Sequence, residues 1–129
     1  MAKLEYFLMA ESVSVDQLTN RVSIFNVMEN VHVQRVGQTC NAVAIAHWNL
    51  ADAEIGNDFQ IEIHIEQDGA EPIIMHQNFR AIRKKHRTLG FFGGFPLTPG
   101  TMTVSIRLNG LHQASHQIDV QVVEPEALP

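Results

Sequence analysis

Pro99-Gly100-Thr101-Met102-Thr103-Val104-Ser105-Ile106-Arg107-Leu108-Asn109-Gly110 opens a stretch that runs on through Leu111 to Val123. Met102, Val104, Ile106 and Leu108 share one parity, and Thr101, Thr103, Ser105 and Arg107 the other. After Asn109-Gly110 the alternation resumes, with Ile118, Val120 and Val122 against Gln117, Asp119 and Gln121. A strict period of two is a strand with one dry and one wet face. Asn-Gly tolerates positive φ and favours a reversal between such runs. The stretch therefore predicts an antiparallel hairpin. Because residues 111–115 alternate less cleanly, a loop longer than two residues is expected.

Working back along the chain, the same pattern recurs. Residues 59–67 place Phe59, Ile61, Ile63 and Ile65 on one side and Gln60, Glu62, His64 and Glu66 on the other, closing at Asp68-Gly69. Residues 72–79 read as an edge strand, since Pro72 has no N–H to give to a ladder. Residues 41–50 are apolar on both parities, which suits a central strand. Residues 4–15 and 22–28 form an opening hairpin around the turn at residues 16–20. Residues 29–38 read as a connection crossing a sheet edge, and a short helical turn is conceivable at residues 51–54. Residues 80–87 are ambiguous between a basic loop and a helix carrying Phe79, Ile82, His86 and Leu89. Seven or eight short strands with turns between them predict a single-domain antiparallel β-sandwich of immunoglobulin-like form over residues 1–123. An eight-stranded barrel is the alternative, and residues 124–129 are expected to be a frayed acidic tail.

The chain has 129 residues, 45% of them apolar and 18% charged, enough to bury a substantial core. Cys40 is the only cysteine, so no disulfide framework is expected, and a reducing compartment, the cytoplasm, is the default. The interrupted apolar run at the amino terminus does not read as a signal peptide, and no stretch is long enough for a membrane-spanning helix. Net charge is −5. Five of the nine basic residues (Arg80, Arg83, Lys84, Lys85 and Arg87) lie in one segment, leaving four basic against fourteen acidic residues elsewhere. Such an acidic body repels nucleic acid and anionic membranes except at that segment.

Tyr6-Phe7-Leu8-Met9-Ala10-Glu11-Ser12-Val13-Ser14-Val15-Asp16, followed by Arg21-Val22-Ser23-Ile24-Phe25-Asn26-Val27, together with Asp68-Gly69, Pro99-Gly100-Thr101 and Asn109-Gly110, carries a resemblance. The chain resembles an uncharacterised bacterial family of small β-sandwich domains of unknown function. Asn26 stands where that family often has glycine, and Met102 where an aromatic is usual. The resemblance implies the fold and brings no catalytic residue or ligand with it. The Pro-Gly-Thr opening of a strand also recurs among immunoglobulin-like domains generally.

Chemistry is harder to find. Seven histidines (His32, His47, His64, His76, His86, His112 and His116) include no pair two apart and no His-Glu-x-x-His, so no metal site or cofactor is expected. Solvated or hydrogen-bonded histidines are the simpler reading, with His64 beside Glu62 and Glu66 the one candidate for cation binding. Gly90 to Gly94 lacks the following helix and lysine of a phosphate loop, and no nucleophile elbow is present. Cys40 reads as a half-buried core residue, with no base near it in sequence. The candidate binding surface is Arg80, Arg83, Lys84, Lys85 and Arg87 with Phe91 and Phe92, which can grip phosphates and stack bases. Its simpler reading is a basic loop guarding a sheet edge, with the phenylalanines in the core. The expectation is a non-enzymatic module that binds a protein partner or another copy of itself, with nucleic acid or another anion as the alternative ligand.

Overall fold

Alternation along the chain becomes nine strands in the computed structural model, which describes residues 1–123. They are β1 (Lys3–Val15), β2 (Val22–Val27), β3 (Asn30–Val33), β4 (Thr39–Asn49), β5 (Asp58–Glu66), β6 (Ile73–Arg80), β7 (Lys85–Pro96), β8 (Gly100–Leu108) and β9 (Leu111–Val122). A single 3₁₀ turn at Asp52–Glu54 follows β4. The expected tail at residues 124–129 lies outside the described residues. One sheet has the order β2-β1-β4-β7 and the other β3-β9-β8-β5-β6. This is a β-sandwich, not the eight-stranded barrel. Pairing of β4 with both β1 and β7, and of β8 with both β5 and β9, is the Greek-key arrangement of immunoglobulin-type domains.

The core is built from the parities that the sequence displays. Ile61, Ile63 and Ile65 of β5 meet Met102, Val104 and Ile106 of β8 and Ile118 of β9, all essentially solvent-free. Met9, Ala44, Ala46 and Trp48 face them from the other sheet. Burying each large apolar side chain contributes about 1.5–3 kcal/mol. Trp48 keeps its polar atom satisfied inside this layer, donating from Nε1 to Thr88 Oγ1 at 3.0 Å.

Three expectations need correction. Asn109 and Gly110 form a two-residue turn with φ of 50° and 82°, so the last hairpin has no longer loop. Two successive left-handed residues make the type I′ turn that matches strand twist. The ragged alternation after it reflects a bulge at Gln113: Arg107 pairs with His112 but Ile106 with Ala114, so the parity changes there. Residues 29–38 contain β3, which pairs with β9 in parallel, so the sandwich has nine strands and is not wholly antiparallel. Residues 80–87 form no helix, and the basic loop is shorter than expected: β6 ends at Arg80, residues 81–84 connect the strands, and β7 begins at Lys85.

The four-stranded sheet curls back on itself. Register sets Arg87 beside His47, and His47 beside Tyr6. The tip of the β1–β2 hairpin lies some twelve residues beyond Tyr6, about 40 Å along a straight strand. Yet Arg87 Nη2 donates to the Asn20 carbonyl at 2.9 Å, and Nη1 to Asn20 Oδ1 at 3.3 Å. The distal half of β1, with β2, must therefore bend over the sheet's outer face as a flap. Val13, Val22 and Ile24, on one side of this hairpin, are half-buried, while Ser12, Ser14, Ser23 and Phe25, on its other side, are exposed. Ala10, Val43 and Ile45 are buried although they sit outside the main core. They form a second, smaller apolar layer beneath the flap.

Candidate functional site

Strand alternation sorts the candidate residues. Opposed residues in a ladder project to the same face. Lys85, Arg87, Leu89 and Phe91 pair with Asn49, His47, Ile45 and Val43, all on the outer, flap side. His86, Thr88, Gly90 and Phe92 pair with Trp48, Ala46, Ala44 and Ala42 and turn inward. Phe91 is 66% exposed, whereas Phe92 is 6% exposed and packs edge-on against Phe95. Phe92 is thus a core residue and not part of the candidate surface.

Two of the five cations are otherwise engaged. Arg80 Nε lies 2.9 Å from Asp58 Oδ1, and Lys84 Nζ 3.1 Å from Asp52 Oδ1. Exposed pairs of this kind contribute little to stability, and neither Arg80 nor Lys84 lines the cleft that the other three cations share. Arg83 and Lys85 form no ion pair among the described residues. Arg87 has its two terminal nitrogens on Asn20 and a buried Nε without a partner.

These three cations share one cleft. It encloses about 610 Å³ between the flap tip, with Gln17 and Asn20, and the start of β7, with Ile82, Arg83, Lys85, His86 and Arg87. Leu18 at the tip is 97% exposed and Ile82 is 70% exposed, so apolar side chains flank the charges. Asp16 holds the tip together: its Oδ1 accepts from the Leu18 and Thr19 N–H groups at 2.8 and 3.0 Å. Those two bonds hold its carboxyl below the usual range. Further along β7's outer face lies a slot of about 270 Å³, where Val13, Val43 and Phe91 meet at the flap root.

The histidines record the local field. His47 stacks on Tyr6 with ring centroids 5.6 Å apart. Its pKa is lowered, first by burial and then by the neighbouring Lys85 and Arg87, with Glu5 acting the other way. His86 stacks on Phe79 at 3.7 Å and is lowered by burial and by His47. Both favour the neutral form. His64 meets Glu62 Oε1 at 3.2 Å, and His116 Nε2 lies 2.7 Å from the Met28 carbonyl. Among the described residues no three His, Cys, Asp or Glu side chains converge to hold a metal ion.

A cleft of similar size, about 590 Å³, opens at the other lateral edge beside Glu11, Asn26, His32, Cys40 and Asn41. Burial pushes the Cys40 thiol up to about 11, so it is protonated at neutral pH and a poor nucleophile. Asn20, Gln17, Val13 and Val43 were not among the residues singled out in the sequence. Their part in the site depends on the bend of β1, for which the sequence has no local signal. Among the described residues no helix is long and apolar enough to cross a membrane. No protein-family model matches the chain, and no curated protein matches it.

Proposed function

We propose that this chain is a non-enzymatic β-sandwich interaction module. It engages a protein partner along the outer face of β7 and belongs with the bacterial β-sandwich domains it resembles. The observation that carries the reading is one row of side chains: Lys85, Arg87, Leu89 and Phe91 run from a basic cleft to an apolar slot on a single face. Such a row fits an extended, acidic segment with an apolar anchor. Phe91 and the slot take the anchor, and Arg83 and Lys85 face its carboxylates. The row is about 20 Å long and, at roughly two strand spacings, about 10 Å wide, so it covers about 200 Å², short of the roughly 800 Å² per partner of a standard interface. Binding is therefore weak and reversible, in the micromolar range.

Nucleic acid is the second reading, and charge counting weighs against it. Three cations neutralise about three phosphates, whereas strong binders make roughly six to ten such contacts. The rest of the chain is acidic. His47 and His86 each stack on an aromatic ring, against Tyr6 and Phe79, an arrangement that packs the imidazoles and does not by itself activate a nucleophile. The single cysteine supports a reducing compartment, the cytoplasm.

The test compares capture from a native lysate by wild type, Phe91→Asp and Arg83→Gln/Lys85→Gln. Loss of the same protein by both variants supports the reading. Equal recovery by all three sinks it. Mobility shift of a nucleic acid by wild type alone would favour the second reading, and concentration-dependent sedimentation abolished by Phe91→Asp would make the partner a second copy.

A further inference from the structure

We infer that the cleft between the flap tip and the start of β7 is a binding site for a phosphate monoester. This rests on β7's outer face being a binding surface, but not on the partner being a protein.

Three observations converge on that ligand. Arg83, Lys85 and Arg87 face one cleft, and among the described residues no carboxylate lines it. In a chain of net charge −5 whose neighbouring Arg80 and Lys84 are each paired with an aspartate, three cations in one cleft that form no ion pair among the described residues are an unmatched positive field. Second, Arg87 is preorganised. Asn20 accepts from both its terminal nitrogens, so the guanidinium plane is fixed before any ligand arrives. Fixing a fork-shaped donor in advance lowers the entropy lost on binding. Third, the field is felt at His47, which Lys85 and Arg87 help to keep neutral against the opposing Glu5.

A compact dianion matches this set better than a carboxylate. Guanidinium groups bond tetrahedral oxyanions through parallel N–H donors, and Lys85 adds a point charge. The side-chain amide of Gln17 is a neutral donor on the opposite wall. At about 610 Å³ the cleft also has room for the body that carries the phosphate, against which Ile82 and Leu18 offer apolar surface.

The experiment is an NMR titration of the ¹⁵N-labelled protein with sodium phosphate at low ionic strength, with sodium chloride matched as control. Saturable shifts confined to Gln17, Asn20 and residues 83–87 are expected, with a dissociation constant of about 1 mM. The His47 ring should titrate at higher pH once phosphate is bound, because the anion offsets the two cations. Arg83→Gln/Lys85→Gln leaves the fold intact, since both side chains are exposed. It should weaken binding about tenfold or more. O-phosphoserine and a phosphoserine peptide then identify the source. Equal affinity assigns the site to a small phosphate ester, and tighter binding of the peptide assigns it to a phosphorylated partner. Shifts that are linear, spread over the surface, reproduced by chloride or unchanged in the double variant overturn the inference. If phosphate fails while Phe91→Asp still abolishes partner capture, the interaction module stands and only the ligand assignment falls.

Discussion

Replacing Gly90 with alanine tests the packing that holds β7 against the second sheet. Gly90 faces the core opposite Ala44. A Cβ there would lie 2.8 Å from Ile63 Cδ1 and 3.0 Å from Met75 Sδ. Carbon atoms pack best at about 3.5–4.0 Å, so the overlap with Ile63 is about 1 Å. Ile63 is 1% exposed, so its Cδ1 can move aside only by repacking against other buried side chains. The half-buried Met75 is the more adaptable neighbour. Overpacking of this kind costs about 1–3 kcal/mol. Loss of glycine's freedom in the unfolded chain offsets about 0.4–1 kcal/mol. The net expectation for Gly90→Ala is about 1–2 kcal/mol of destabilisation, or a fall in Tm of roughly 4–8 °C for a chain of this length. Urea denaturation followed by circular dichroism measures it. Ile63→Val removes the clashing methyl and alone costs about 0.5–1.5 kcal/mol. In the Gly90→Ala background it should cost nothing or restore stability, a coupling of about 1 kcal/mol. Gly90→Ala as stable as wild type, or Ile63→Val equally costly in both backgrounds, would refute the reasoning.

Arg87→Met removes both bonds to Asn20. Amide exchange at residues 13–24 should quicken roughly ten- to a hundredfold, from about 1.4–2.8 kcal/mol lost locally, while β8 stays protected. Trp48→Phe leaves Thr88 Oγ1 buried without its donor and should cost about 1–3 kcal/mol in denaturant unfolding. With its thiol raised to about 11, native Cys40 should react with iodoacetamide at pH 8 on the order of a hundredfold more slowly than an unfolded cysteine. The sign for stability follows. Its contribution is complete below the unfolded thiol's pKa and is lost as pH rises toward about 11, so alkaline unfolding of Cys40→Ala should be less steep than that of wild type.

Local pattern in the chain reached the element types well, because period-two alternation needs only near neighbours. Residues 102–108 and 59–65 show it, since each of these strands has one face in the core and one in water. It failed on β7 for a reason visible in the packing. The inward residues there are His86, Thr88 and Gly90, and the outward ones include Leu89 and Phe91. His86 lies inside by stacking on Phe79, Thr88 by bonding Trp48, and Gly90 by making room for Ile63 and Met75. Polar and small residues thus occupy the dry face, and the hydrophobic pattern reads inverted. β3 escaped notice because its four residues gain their place from a parallel partner far along the chain.

By itself the sequence determined an all-β sandwich, the inward parities of residues 59–65 and 102–108, its edge strand at residues 72–79 and the stretch in which the cations cluster. Tertiary structure alone decided which of those cations act together. Arg80 and Lys84 went to aspartates, Phe92 went to the core, Arg83, Lys85 and Arg87 came to line one cleft, and Phe91 stayed on the same outer face of β7 as Lys85 and Arg87. The physical reason is that alternation fixes which way a side chain points relative to its own strand. What lies opposite depends on register and on the bend of β1, and it took that bend to bring Asn20 to Arg87 and close a cleft around the charges.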